Sequence, residues 1–581
     1  MELISGNEAI ARGAWEAGAT IGVAYPGTPS TETMENFAKM PGVYAEWCPN
    51  EKVAVEVGVG ASASGRRVLS SMKHVGVNVA ADPLFTAAYT GVGGGFVILA
   101  ADDPGMHSSQ NEQDSRYYAA AAHIPMLDPA DSAEALAFTK EAFDISERFD
   151  IPVFIRSTVR VSHTKCPVEL GERTERERVA YEKDPAKWVM MPLYAKPRRR
   201  NLDERIAALR AFAEETPLNR VERKDGKIGI ICTGATYQHV VDALPEASIL
   251  KLGMSWPLPE QKIADFAASV DDVYVVEEAS VYLSDAVKAL GVKLSQPARE
   301  LACYGELTPG QIAYAFGIDA PEHEIAPEGL PPRPPALCPG CPHRLVFREL
   351  SRMKAIVTGD IGCYTLGALA PLSAIDLCID MGASISMAHG FELGMKDEEH
   401  RPVVAVIGDS TFAHSGITSL LNTVYNCGTG TVCILDNRTT AMTGHQGNPC
   451  NGITLQKRQS RELDLPVLVR ALGVEDVRVV DPMDMKAVRR ALKEATSNVD
   501  ELSVIVFESP CVLLTKEHAA PYEVKADCRA CGSCSLIGCP AISCDPETKV
   551  AFIDASLCVG CSQCSQACPY GCIVSTGESH E

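Results

Sequence analysis

Short apolar runs bounded by turn residues recur along the chain, separated by stretches of helical period. Between Pro402 and Gln446 two such runs, 403–407 and 431–435, each end close to an acid or an amide. Bounded runs of this length predict buried parallel strands, with a crossover helix over 417–426 between them. Upstream, the pattern predicts a helix over 8–17, strands at 21–25 and 43–47, and a helix from Glu51 in which Ala54, Gly58, Ala61 and Ser62 form a small-residue face. A strand VLSSM with a polar turn at 73–76 comes next, then strands FVILAADD and PVFIRSTVR. Between those last two lies GMHSSQNEQDSR, 105–116, without apolar period but rich in donors and acceptors, as a binding loop requires.

Strand and helix alternate over 1–165, as in a doubly wound domain. Residues 166–225 carry charge clusters and read as a surface linker with a helix near 203–215, its Arg198 to Arg200 forming a solvated or subunit-contacting patch. A second α/β unit is expected over 226–318, a Pro-rich connector over 319–335, a third α/β domain over 336–516, and a small α+β tail over 517–581. At 581 residues the chain exceeds one core, and roughly three to five domains are expected.

Charge narrows the partners. With 53 Lys plus Arg against 75 Asp plus Glu, the net charge of -22 argues against nucleic acid and anionic membrane. The apolar stretch 87–101 is broken by glycines and is too short to span a bilayer, and the N-terminal residues show no apolar signal region. A cytoplasmic location is expected, where 22 cysteines point to metal or cluster ligation rather than to disulfides.

Parallel strands deliver ligand groups at their carboxyl ends, so Asp409 and Asn437 are aimed at one place. A carboxylate and an amide oxygen, completed by a backbone carbonyl and phosphate oxygens, suit magnesium. The GDS at 408–410 followed by Asp436-Asn437 resembles the GDG…NN motif of thiamine diphosphate enzymes, with Ser410 in place of the second glycine. That resemblance implies Asp409, Asn437 and the Thr439 carbonyl as magnesium ligands, with Gly408 and the run Gly382, Ala383 and Ser384 against the diphosphate. It also implies Glu51 as the glutamate that bonds the aminopyrimidine ring, Glu56 being read as an ordinary helix acid.

Cysteine spacing supplies the electron chemistry. Cys528, Cys531, Cys534 and Cys539-Pro540, then Cys558, Cys561, Cys564 and Cys568-Pro569, are spaced as in a bacterial two-cluster ferredoxin. The fourth cysteine of each run there serves the other cluster, pairing Cys568 with the first three and Cys539 with the second three. The first run has four residues before its last cysteine where three is usual. Cys338 and Cys341 form a CxxC, which redox and zinc sites share.

Taken with Cys363 and Cys511, that CxxC resembles the core [4Fe-4S] site of 2-oxoacid:ferredoxin oxidoreductases, zinc being the alternative. YPGTPSTE, MKHVGVNVAADP, RPPALCPGCPHR, GDIGCYTLG and DNRTTAMTGHQ extend the resemblance, nearly chain-long, to the α subunit of indolepyruvate:ferredoxin oxidoreductases. The 226–318 unit resembles the C-terminal domain of transketolase-like proteins. The family implies thiamine diphosphate, Mg2+ and three [4Fe-4S] clusters, converting an aryl pyruvate and CoA to aryl-acetyl-CoA and CO2 while reducing ferredoxin. It implies a smaller β subunit in an α2β2 assembly. Thr28, His107, Gln110, Gln113 and Met442 are the expected substrate contacts, an apolar Met442 suiting an aryl group. The same chemistry on another 2-oxoacid, or a non-oxidative thiamine decarboxylase, are the other readings.

Overall fold

A computed structural model describes residues 1–318, 329–330, 334–395, 401–515 and 518–577, so most of the expected Pro-rich connector lies outside the described residues. The chain divides into two compact units, Met1–Glu328 and Gly329–Glu581. Among the described residues no helix is long and apolar enough to cross a membrane.

The first unit contains a seven-stranded sheet in the order Met254–Trp256, Met126–Leu127, Val153–Thr158, Phe96–Asp102, Val68–Lys73, Ile21–Ala24, Tyr44–Trp47, parallel except for its first strand. Val68–Lys73, Phe96–Asp102 and Val153–Thr158 are buried along their whole length, which is why they read as apolar runs without alternation. A four-stranded sheet follows, Asp272–Val276, Ile228–Thr233, Ser248–Leu252 and Asn219–Glu222, the last antiparallel.

Three local expectations are corrected. The polar turn at 73–76 is instead the start of a helix, His74–Val79. The strand expected through Arg160 stops at Thr158, where a short helix, Val159–His163, begins. The helix expected near 203–215 begins at Pro192, a favoured first helical position, and runs 24 residues to Glu215 with Pro197 inside it. Leu202, Ile206, Leu209 and Ala213 bury its inner face.

Arg198 is not a solvated patch residue. Its guanidinium caps the carbonyls of Tyr89 (2.7 Å) and Thr90 (2.8 Å) and pairs with Asp150, which also receives Lys187, Arg205 and the Val92 N–H. Asp150 has φ 51°, a conformation asparagine tolerates, so Asp150→Asn removes the charge while keeping the backbone. A loss of about 1.5–3 kcal/mol is expected in thermal or denaturant unfolding. Unchanged stability would show that the long helix is held by its apolar face alone.

The second unit is built on a fully parallel five-stranded sheet, Ile356–Thr358, Val403–Gly408, Thr431–Asp436, Ser503–Glu508 and Asp476–Val480. Its side chains divide with period two. Val404, Val406, Cys433, Leu435, Ile505 and Phe507 meet Val346, Phe347, Leu350, Val488 and Leu492 on one face. Ala405, Ile407, Val432, Ile434, Val504 and Val506 meet Ile385, Leu420, Leu465 and Val469 on the other. Two antiparallel pairs, Tyr522–Val524 with Ile573–Ser575 and Ile542–Cys544 with Ala551–Ile553, form the tail. It packs on Leu345 and Met485 of the same unit.

Candidate active site

In the first unit the chain passes from Ile21–Ala24 outward to Tyr44–Trp47 and returns to Val68–Lys73 on the opposite side. Strand order therefore reverses between 21–24 and 68–73, and the carboxyl ends there open a ligand crevice. Half-buried Thr28 lies on the loop leaving the first strand; the second ends on Lys73 and His74, both buried. A Cβ on Gly27 would stand 3.1 Å from Lys73 Cβ, so the two loop ends are in contact.

Lys73 Nζ donates to Ser108 O at 2.7 Å, and His74 Nε2 lies 3.3 Å from Asn111 O. Burial pulls the Lys73 ammonium down to about 8, against the opposing pull of Asp103. Asp103 in turn accepts from the N–H groups of His107 (3.1 Å) and Ser108 (2.9 Å), folding the 105–114 loop back over Lys73. Of the loop residues singled out from sequence, His107 is exposed and 3.3 Å from Glu306, Gln110 is exposed, and Gln113 accepts from Asn78 at 3.0 Å. Lys73 and His74 were missed because an isolated Lys-His pair after a strand looks like a turn.

Glu51 is 4% exposed at the first position of helix Glu51–Ala63, whose N-terminus is capped by Asn50 accepting from Val53 N at 2.9 Å. Glu56, one turn on, is exposed and paired with Lys52. Glu51 lies against helix His74–Val79 at Gly76, where a Cβ would come within 2.4 Å of Glu51 Oε1. Gly76→Ala should therefore displace the carboxylate without unfolding the sheet. Misplacement by about 1 Å costs on the order of 10²-fold, and a turnover loss of that size at unchanged melting temperature is the expected result. Full activity would show that the Glu51 position does not matter.

In the second unit the functional groups gather along the carboxyl edge of the five-stranded sheet. Asp409 follows Val403–Gly408, Asn437 follows Thr431–Asp436, Cys511 follows Ser503–Glu508, and Asp360 and Cys363 follow Ile356–Thr358. Asp409, Asn437 and Thr439 are all buried. Burial, and then the neighbouring Asp436 carboxylate, pushes Asp409 up to about 7, while Asn448 Nδ2 donates to it at 3.1 Å. Two buried acids side by side are stabilised by a cation, and carboxylate oxygens are hard donors of the kind magnesium takes. Asn437 Oδ1 accepts from Thr439 N at 3.2 Å, and Asn437 O accepts from Cys511 N at 3.0 Å. That last bond ties the acid–amide site to a core cysteine.

Gly382 has φ 90° and opens helix Ala383–Gly394. The N–H groups of Gly382 (2.7 Å) and Ser384 (3.2 Å) donate to Asp360, whose carboxyl burial raises to about 6. Asp360 thus takes up the N–H groups of Gly382 and Ser384, on the run expected to lie against a diphosphate. Gly408 is required on steric grounds of its own, since a Cβ there would lie 2.6 Å from the Tyr364 ring. Met442 is half exposed on the loop after Asn437.

The thiols lie in three neighbourhoods. Cys338, Cys341 and Cys363 pack on one core cluster, and burial, then neighbouring thiols, raises Cys341 to about 12 and Cys363 to about 11, Cys511 being the thiol that acts most on Cys363. Cys528, Cys531, Cys534 and Cys568 line one cavity of the tail; Cys539, Cys558, Cys561 and Cys564 line another. The exchange of fourth cysteines between runs is thus present in the fold, and the extra residue before Cys539 is absorbed in the turn Ser535–Ile537 and Gly538 at φ 69°. Cys572 shares the first cavity, and its N–H donates to Cys568 Sγ at 3.3 Å. Among the described residues no three His, Cys, Asp or Glu side chains converge on a single ion. Four thiols around a cavity suit a cubane, which spreads its ligands more widely than zinc does.

Two α/β units with ligand-bearing carboxyl edges, a buried acid–amide pair and a ferredoxin-like tail define a thiamine-diphosphate-dependent, iron–sulfur oxidoreductase. Matches to family models agree: pyruvate flavodoxin/ferredoxin oxidoreductase, thiamine diphosphate-binding, over 12–216; thiamine pyrophosphate enzyme, C-terminal TPP-binding domain, over 360–507; and 4Fe-4S binding domain over 551–574. The chain belongs to the indolepyruvate oxidoreductase subunit IorA family. It is 41% identical to that subunit of Archaeoglobus fulgidus over 97% of this chain and 96% of the relative, and 40% identical to that of Thermococcus kodakarensis over 98% and 96%. A 2-oxoglutarate:ferredoxin oxidoreductase from Magnetococcus marinus superposes with a TM-score of 0.46 at 16% identity, over 54% of this chain and 64% of its own.

Proposed function

We propose that the chain carries out the oxidative decarboxylation of aryl pyruvates with CoA, giving aryl-acetyl-CoA and CO2 and passing electrons to ferredoxin. The observation that carries this reading is the backbone bond from Cys511 N–H to Asn437 O, which sets a half-buried cysteine beside the acid–amide site on one sheet edge. When bound, thiamine diphosphate would supply the electron sink for the pair left on a 2-oxoacid as CO2 departs, and the clusters would take up single electrons.

Asp409, Asn437 and the Thr439 carbonyl hold Mg2+, which anchors the diphosphate. Glu51, kept from water at a helix start, would be the group that holds and releases a proton toward the aminopyrimidine ring of a bound thiamine. The core quartet Cys338, Cys341, Cys363 and Cys511 holds one cubane and the two tail quartets hold one each. In the first unit Thr28, Lys73 and His74 are the crevice groups suited to a substrate carboxylate; in the second, half-exposed Met442 is an apolar side chain suited to an aryl group. A smaller second subunit, in an α2β2 assembly, completes the enzyme.

The test is anaerobic bleaching of the visible cluster absorbance by a panel of 2-oxoacids, with the partner subunit and CoA present. Aryl pyruvates should bleach faster than pyruvate or 2-oxoglutarate. Preference for an aliphatic acid would move the substrate class, and CO2 release without bleaching would make the enzyme a non-oxidative decarboxylase.

A further inference from the structure

Arg344 is the second residue of helix His343–Met353, three positions after Cys341, and is only 1% exposed. Its guanidinium bonds carbonyls of two loops. Toward the CxxC loop, Nε and Nη2 donate to Cys338 O at 3.2 and 2.9 Å, and Nη2 also reaches Leu337 O. Toward the tail, Nη1 donates to Ile537 O at 3.2 Å and to Gly538 O, just before Cys539. Among the groups that act on its charge most are four thiols, Cys539, Cys341, Cys561 and Cys338, two from the core quartet and two from one tail quartet. One turn along the same helix, Arg348 and Arg352 both pair with Glu349; among the described residues Arg344 has no such carboxylate.

A guanidinium keeps its charge when buried, and a buried charge without an opposite partner is strongly unfavourable. Thiolate-ligated cubanes are anions that gain a further negative charge on reduction, so they meet that requirement from both sides. Independent contacts bring the same two quartets together. Pro339 and Gly340, between Cys338 and Cys341, wall the cavity of Cys539, Cys558, Cys561 and Cys564. Gly340 has φ 77°, and a Cβ there would lie 2.5 Å from Val559 Cγ2. Buried Gln563, between Cys561 and Cys564, donates Nε2 to Cys341 O at 3.0 Å.

Resting on the cluster reading above, we infer that Arg344 is the shared counter-charge of the core cluster and the Cys539/Cys558/Cys561/Cys564 cluster, a positioning residue whose fixed charge raises both reduction potentials. The full chain with its partner subunit, as wild type, Arg344→Met and Arg344→Lys, is to be titrated anaerobically against potential and followed by electron paramagnetic resonance, with iron content measured first. In Arg344→Met both potentials should fall by at least tenfold in the one-electron equilibrium constant, about 59 mV. The cluster of Cys528, Cys531, Cys534 and Cys568 should stay within threefold of wild type. Arg344→Lys, which keeps the charge, should stay within threefold at all three.

Unmoved potentials in an iron-complete Arg344→Met, or equal shifts in both variants, would overturn the inference. Iron loss in both variants would make the guanidinium a loop fork rather than a counter-charge, and would overturn it as well. Iron loss in Arg344→Met alone, with Arg344→Lys intact, is what a required counter-charge produces. A wild-type chain without core iron would instead remove the cluster reading on which the inference stands.

Discussion

Glu51→Gln is expected to lower kcat by about 10²- to 10⁴-fold, the usual contribution of a positioned general acid–base group. Glutamine has the size of glutamate, keeps the helix start and still hydrogen bonds, but it does not exchange a proton. Because Glu51 is buried at the first position of its helix under an asparagine cap, the change adds no volume and removes no backbone bond. Thiamine diphosphate affinity should therefore change by no more than a few-fold, measured by fluorescence quenching or calorimetry, while turnover collapses. A variant with full activity would move the proton to another group. Glu56 is poorly placed for that, exposed and paired with Lys52.

The second large effect is expected on binding. Asp409→Asn removes a hard anionic ligand from a site where Asp409 and Asp436 are buried together and the Asn448 amide already supports the carboxylate. Loss of groups that merely orient a ligand costs about 10- to 100-fold in metal affinity, so loss of the ligand itself should cost at least about 100-fold. Excess Mg2+ and thiamine diphosphate should restore much of the rate, since the chemistry lies with other residues. Unchanged affinity for both would show that the cation is held elsewhere.

What the sequence made legible was whatever is encoded by spacing. Runs such as 403–407 and 431–435 announce buried strands because both faces of a covered parallel sheet are apolar, and the ends of those strands point to Asp409 and Asn437. The tail cysteines announce their quartets because ligand loops are short and local. Groups defined by tertiary proximity left no such trace. Asp360, Asn448 and Arg344 are single polar residues whose roles appear only when distant loops meet. The helix His74–Val79 was hidden by Gly76, which the pattern reads as a turn and the fold uses as space for Glu51. The helix Pro192–Glu215 was hidden by Pro197 and a run of arginines, of which Arg198 pairs with Asp150 and bonds carbonyls out of sequence range.

The tail is also less separable than its ferredoxin-like spacing implies. Its apolar residues pack with Leu345 and Met485, and Gln563 and Arg344 bond across to the core cysteines. Removing residues 524–581 would expose that surface, so single-ligand substitutions are the sounder way to separate the clusters.

The proposed function requires a third cubane beside the thiamine site in addition to the two of the tail. Iron content, with substrate-dependent cluster reduction, tests it on the anaerobically purified full chain and its partner subunit, comparing wild type with Cys363→Ser. At four irons per cubane, wild type should hold about twelve per chain and Cys363→Ser about eight, with tail signals retained and reduction by 2-oxoacid lost. About eight irons in wild type, one zinc at the core thiols and undiminished substrate-driven reduction of the tail in Cys363→Ser would contradict the account.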